Sequence, residues 1–277
     1  MAAVEAIKRE KAGRLPGARA VGWSAATLLA TSWFSAAVFG LYILAFYGGA
    51  APRGTLADWN HTLPRLYEPA TPMATIAMGA HFLTGATLLL LGPVQLLSGA
   101  RRRYVVAHRW IGRTYVLAAG VAGLAGLSFI AAKGTVGGPI MSAGFALYGT
   151  LVTIAAAQTY RYARRRWFDS HRAWAIRLFA LAIGSWLYRM DYGFWIAFTG
   201  GLGSTQTFTG PFDHVMAFAF YLPNLAVAEL VIRSTGRSNT AFRVASAAAL
   251  TLGTALTLVG SYFFIKGYWG PGILAAI

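Results

Sequence analysis

Apolar residues along this chain come in long runs, and polar residues are gathered in the gaps between them. Seven runs, near 22–48, 72–97, 114–132, 139–160, 173–198, 214–232 and 244–265, carry almost no charge. A helix needs roughly 20 apolar residues to cross the hydrocarbon core of a bilayer. An isolated strand in lipid leaves its backbone groups unpaired, so all seven runs read as helices. The pattern predicts an all-α polytopic membrane protein of about seven transmembrane helices. Residues 1–21 form a basic tail, and 22–277 form the transmembrane domain.

The gaps repeat one phrase. Gln95 precedes Arg101, Arg102 and Arg103, and His108-Arg109 follows after four further residues; Gln158, Arg164, Arg165, Arg166 and His171-Arg172 match this spacing 63 positions later. Each phrase separates two apolar runs, so the spacing predicts a duplicated helix hairpin over 72–198. Both copies run in one direction, as parallel repeats do, whereas inverted repeats relate their halves differently. Two such hairpins make a four-helix core, an architecture that holds cofactors between facing helices.

Composition agrees with a membrane location. The chain is 57% hydrophobic and 12% charged, with a mean hydropathy of +0.54. A soluble domain carries about twice that charged fraction. The net charge of +16 invites a nucleic-acid reading, but its placement argues for topology. Eighteen Lys and Arg lie in the tail, with Lys8, Arg9, Lys11, Arg14 and Arg19, and in the loops 101–113, 161–172 and 233–243; Arg53, Arg65, Lys133 and Lys266 lie opposite. By the positive-inside rule the N-terminus is cytoplasmic and the C-terminus outside. The same clusters suit anionic lipid headgroups as partners, and no nucleic acid is expected. There is no cysteine, which removes disulfides, thiolate metal sites and thiol chemistry. Trp23, Trp110, Tyr115, Trp167, Trp174 and Trp269 fall near span ends, where aromatic belts belong. The segments 50–71 and 200–213 are the outer loops long enough to form a lid or entry surface.

Three histidines are candidates for chemistry. His108 and His171 occupy equivalent positions at the basic edge. Two imidazoles facing one another can ligate a haem iron, with Arg109, Arg113, Arg172 and Arg177 pairing the propionates. The plainer reading is that His-Arg marks the interface and the arginine runs grip lipid phosphates. Glycines at 79, 85, 92, 144 and 149 leave space for a flat macrocycle or mark close helix crossings. Gln95 and Gln158 either bond one another or cap freed backbone, near Pro93 in the first case. His81 lies on the order of 13 Å below the outer surface at 1.5 Å per residue. Arg189 and Asp191 return to that depth, so His81, Arg189 and Asp191 form a candidate ligand or proton-relay cluster, with an interhelical polar staple as the alternative. Asp191 is two residues from Arg189, so the two cannot share one helical face. Glu229 stands in a span without an obvious partner. Asn224 follows Pro223 and can satisfy a broken helical turn.

The stretch His81…Gly85…Gly92-Pro93-Val94-Gln95…His108-Arg109-x-x-Gly112-Arg113-x-Tyr115 resembles a family of bacterial predicted membrane proteins classed as a domain of unknown function. The stretch His171-Arg172-x-Trp174-x-Ile176-Arg177-x-x-Ala180-Leu181…Arg189 resembles that family's second motif. Together they cover about residues 75–190 and imply a bacterial inner-membrane protein. The histidine-bearing four-helix core is also similar to the b-type cytochrome superfamily. That resemblance implies haem b, electron transfer and a quinone or redox partner. Only His81, His108 and His171 are placed to ligate, which is one short of that superfamily's two-haem set. Proton-coupled transport or ligand binding at His81, Arg189 and Asp191, or a structural assembly role, are the competing expectations.

Overall fold

The computed structural model describes residues 18–96, 103–233 and 240–276. The tail basic residues Lys8, Arg9, Lys11 and Arg14, Arg101 and Arg102 of the first phrase, and Arg237 lie outside them. Among the described residues the chain is all-helical.

Helix α1 (Ala18–Tyr42) runs on through a π-helical segment, Ile43–Gly48, into a last turn, Gly49–Arg53. It is followed by α2 (Pro72–Leu96), α3 (Val105–Lys133) and α4 (Gly138–Arg164). Two broken pairs come next, α5 (Phe168–Ala182) with α6 (Gly184–Thr199), and α7 (Pro211–Ala219) with α8 (Leu222–Arg233). Helix α9 (Thr240–Phe264) closes the chain through a second π-helical segment, Ile265–Trp269, and a final turn, Gly270–Leu274.

Five helical segments are long and apolar enough to cross a membrane, Arg19–Arg53, Pro72–Gln95, Val105–Lys133, Gly138–Arg164 and Thr240–Leu274. The fifth and sixth expected spans are the broken pairs. Near Phe220 the cause is Pro223, which has no N–H and whose ring crowds the carbonyl four residues back. Asn224 Nδ2 donates to the Phe220 carbonyl at 2.8 Å, satisfying the broken turn as its position beside Pro223 predicts. The break at Ile183 precedes Gly184, whose missing side chain lets Tyr148 and Phe220 approach.

Helix ends depart from the apolar runs. Helix α3 begins nine residues before its run, so His108, Arg109 and Arg113 are helical, not loop, residues. Hydropathy marks where a helix leaves the hydrocarbon, and a basic first turn can remain helical beyond that plane. Val105 and Phe168 start α3 and α5, and they are separated by the spacing of the repeated phrase.

Helices α2 and α3 pack antiparallel, with Gly92 against Tyr115 and His81 against Ala122 and Gly126. The seams continue with Gly123 against Gly149 and Thr153, from α3 to α4, and with Tyr148 against Leu181, from α4 to α5. Ala118, Ala119, Ala122, Ala155 and Ala156 are buried in this core. Small residues allow the close backbone approach that dispersion between helices in lipid requires. Helix α1 packs on α2, donating Trp33 Nε1 to the Leu90 carbonyl at 3.0 Å. It runs parallel to α9, where Phe39 meets Trp269 at 5.1 Å. Trp23, Trp110 and Trp167 face outward as an aromatic belt would, but Tyr115 and Trp269 do not: both are buried in the core.

Candidate functional site

The residues singled out by sequence fall into three places. The first is the arginine-rich end of α2 to α5. On α3, His108 shares a helical stripe with the buried Tyr115, Ala118 and Ala122. On α5, His171 shares one with the buried Leu178 and Leu181. Spacings of three, four and seven residues place side chains on one face, so both histidines start core-facing stripes. Their backbone N–H groups close equivalent first turns, His108 on the Tyr104 carbonyl at 3.0 Å and His171 on the Trp167 carbonyl at 2.9 Å. His171 Nδ1 lies 3.0 Å from the Thr159 carbonyl on α4. A carbonyl only accepts, so Nδ1 carries the proton and Nε2 keeps its lone pair in the neutral ring.

In the same half of these helices, buried polar atoms lack partners, Gln95 Nε2, Tyr115 Oη and Gln158 Oε1. The glutamines neither bond one another through these atoms nor use them to cap backbone. An orphaned buried polar atom costs about 1–3 kcal/mol, so each of these is a place where a further hydrogen-bond partner would be stabilising. Gly92 and Gly144 provide no slot for a flat ring. A side chain at Gly92 would stand 3.2–3.3 Å from Tyr115 and Phe179, and one at Gly144 would strike the Ala217 carbonyl. These glycines mark close helix crossings.

The arginines divide. Arg109, Arg113 and Arg172 are exposed, and Arg113 stacks over Trp110 at 4.9 Å. Arg177 instead pairs through Nε with Glu229 on α8 and lies over Trp174 at 4.7 Å. Glu229 therefore has the partner its sequence position did not suggest, and Arg177 is committed to it.

The second place is the interior toward the other end. His81 Nδ1 lies 2.9 Å from the Ala122 carbonyl, which again leaves Nε2 as the lone-pair nitrogen. Arg189 donates to the Ser185 carbonyl at 2.9 Å and lies over the Phe39 ring at 4.6 Å. It is within electrostatic range of His81, Tyr42 and Tyr47. No carboxylate pairs with it among the described residues. Asp191, on the same helix, is turned elsewhere. It lines an open groove with Phe194, Trp195, Phe212 and Met216. The structure thus places Arg189 within electrostatic range of His81 and leaves Asp191 apart.

The third place is the far surface, where both long loops are packed. Trp59 is buried and donates Nε1 to the Tyr47 carbonyl at 3.1 Å. Lys133, at the end of α3, donates to the Arg65 carbonyl at 2.8 Å and pairs with Glu68 at 3.0 Å. Hydrogen bonds from Arg65 and Lys133 hold the Glu68 carboxyl below the usual carboxylate range. The second loop folds around Asp213, whose buried carboxylate accepts from the Tyr192 and Ser204 hydroxyls and from the Thr205 and Gly210 N–H groups. The Ser, Thr and Gly residues just before Asp213 are the sequence signal of such a turn. His61 is exposed beside Asp58, and His214 lines a shallow groove with Phe218 and Pro223. Neither approaches the core histidines.

No group of three or more His, Cys, Asp or Glu side chains able to hold a metal ion is present among the described residues. None of the curated proteins and none of the solved structures compared with the chain matches it. A family model does match, over residues 78–232, which takes in both repeated phrases, His81, Arg189 and the Arg177–Glu229 pair. The chain belongs to the family described as predicted membrane protein (DUF2306).

Proposed function

We propose that this is a multi-pass protein of the bacterial inner membrane, N-terminus in the cytoplasm, whose duplicated four-helix core binds haem b at its basic end for membrane electron transfer. The observation that supports the reading is that both histidines start core-facing stripes at the arginine-rich end, on or beside the helices where Gln95, Tyr115 and Gln158 leave buried polar atoms without a partner. Fixing one imidazole nitrogen on a carbonyl, as His171 does with Thr159, is how proteins orient a metal-ligating histidine.

His108 and His171 would hold the iron of such a haem through their imidazoles. The exposed guanidinium groups of Arg109, Arg113 and Arg172 suit its propionates; Arg177, already paired, leaves that set. Bound haem supplies one-electron exchange. The protein's part is to hold the imidazoles in one tautomer, keep water from the ring and set the local charge. The basic loops are proposed to lie against anionic lipid headgroups, with a quinone or redox protein as the exchange partner.

A second reading rests on Arg189, a guanidinium within electrostatic range of His81 and with no carboxylate partner among the described residues. Such a group in a membrane interior fits a quinone carbonyl or an anionic ligand.

The test is the absorption spectrum of the purified protein, oxidised and dithionite-reduced, after expression with ample haem. A Soret band with sharp reduced α bands, lost in both His108→Ala and His171→Ala, is expected. A colourless protein overturns the cytochrome reading. In the same preparations, binding of a short-chain quinone that is lost in Arg189→Gln supports the second reading, and unchanged binding overturns it.

A further inference from the structure

We propose that the groove between α6 and α7 is a binding site for bulky hydrophobic organic cations, with Asp191 as their counter-ion. This site is separate from the haem reading and uses none of its residues.

The groove is about 510 Å³, open on one side, and lies along the outer half of α6. Its polar groups are the Asp191 carboxylate, the Thr199 hydroxyl and the Trp195 indole N–H, which donates to the Leu202 carbonyl at 2.7 Å. Thr199 is already satisfied, donating to the Trp195 carbonyl at 2.6 Å and accepting from the Leu202 N–H at 3.2 Å. Asp191 is half-buried, and its carboxylate takes no hydrogen bond or ion pair from the described residues. The nearest cation in sequence, Arg189, is turned to Phe39 and His81.

The rest of the lining is aromatic and aliphatic. Trp195 and Phe212 stack with centroids 4.4 Å apart and planes within 6°. Phe194 and Phe198 stack along the same helix at 6.2 Å and 10°. Aromatic faces around a carboxylate are the chemistry that recognises an organic cation, through the ring quadrupole as well as the charge. A small hydrated ion gains nothing from rings and loses its water on entry. A cation wrapped in apolar groups has little hydration to lose, enters from the lipid side, and supplies the positive charge that a carboxylate at this depth lacks.

The experiment measures tetraphenylphosphonium binding to the full chain in lipid nanodiscs, with empty nanodiscs as the partition control. Tetraphenylborate, of the same shape and opposite charge, is the charge control. Saturable phosphonium binding, weakened at least tenfold by Asp191→Asn, largely kept in Asp191→Glu and absent for tetraphenylborate, is expected. Asp58→Asn, in the far loop, should leave it unchanged. Equal binding by wild type and a well-folded, monodisperse Asp191→Asn overturns the proposal. So does wild-type uptake no greater than that of empty nanodiscs.

Discussion

At the scale of single residues, membrane burial makes pairing decisive. Arg177 and Glu229 sit on α5 and α8, and each alone would strand a charge in a poor solvent. Removing one partner of a fully buried pair costs roughly 3–5 kcal/mol, while replacing both by apolar groups is often neutral. These side chains keep 22% and 28% exposure, so a smaller cost applies. Glu229→Ala should destabilise by about 2 kcal/mol, and Arg177→Met with Glu229→Met should recover most of it. Thermal unfolding in detergent as a double-mutant cycle checks this; additive losses would show that the pair does not couple. Sequence raised both residues but could not join them, because 52 positions separate them on different spans and no periodicity links one helix face to another. Gln95 and Gln158 teach the reverse lesson. Their equivalence was plain in the repeated phrase, but that each holds an unpartnered buried atom depends on the rotation of neighbouring helices.

At the scale of elements, the continuous helices were legible because a bilayer-length apolar run has few alternatives. The breaks were not. Apolar residues continue through Ile183 and through Phe220–Tyr221, so hydropathy is blind to the interruption; only Pro223 gave notice of one of them. The far loop was visible as a loop, but its packing was not, since Trp59 needs the Tyr47 carbonyl and Lys133 needs Arg65 and Glu68 to be brought to it. That loop should respond to acid. Hydrogen bonds from Arg65 and Lys133 favour the ionised Glu68, so its folded pKa lies below the ordinary value of 4.5. Stability from a depressed carboxylate is present above the unfolded pKa and lost as pH falls through the folded one. The loop tether should therefore hold at neutral pH and weaken below about pH 4.5. Hydrogen exchange across 54–71, taken relative to the intrinsic exchange rate at each pH, should rise in that acid window in wild type. In Glu68→Gln it should already be raised at pH 7 and be flat across the window; a wild-type loop insensitive to acid would assign the tether to Lys133 and the Arg65 carbonyl alone.

For the whole molecule, charge and helix direction together make the proposed orientation testable. Helices α1, α3, the α5–α6 pair and α9 run from the arginine-rich end, and α2, α4 and the α7–α8 pair run toward it. Arg161, Arg164, Arg165 and Arg166 thus share an end with Arg109 and Arg113, while Arg65, Glu68 and His61 lie at the other. Basic loops are retained in the cytoplasm because their translocation is disfavoured. The chain lacks cysteine, so a single introduced thiol reports one position without background. His61 and Arg165 are both exposed, at opposite ends. His61→Cys should react with a membrane-impermeant maleimide in intact spheroplasts, whereas Arg165→Cys should react only after permeabilisation. The reversed pattern would put the arginine clusters outside and remove the cytoplasmic assignment of His108 and His171. Labelling of both sites in intact cells would mean that the chain inserts in two orientations, and the charge asymmetry would then be too weak a guide for placing an electron-transfer partner on either side.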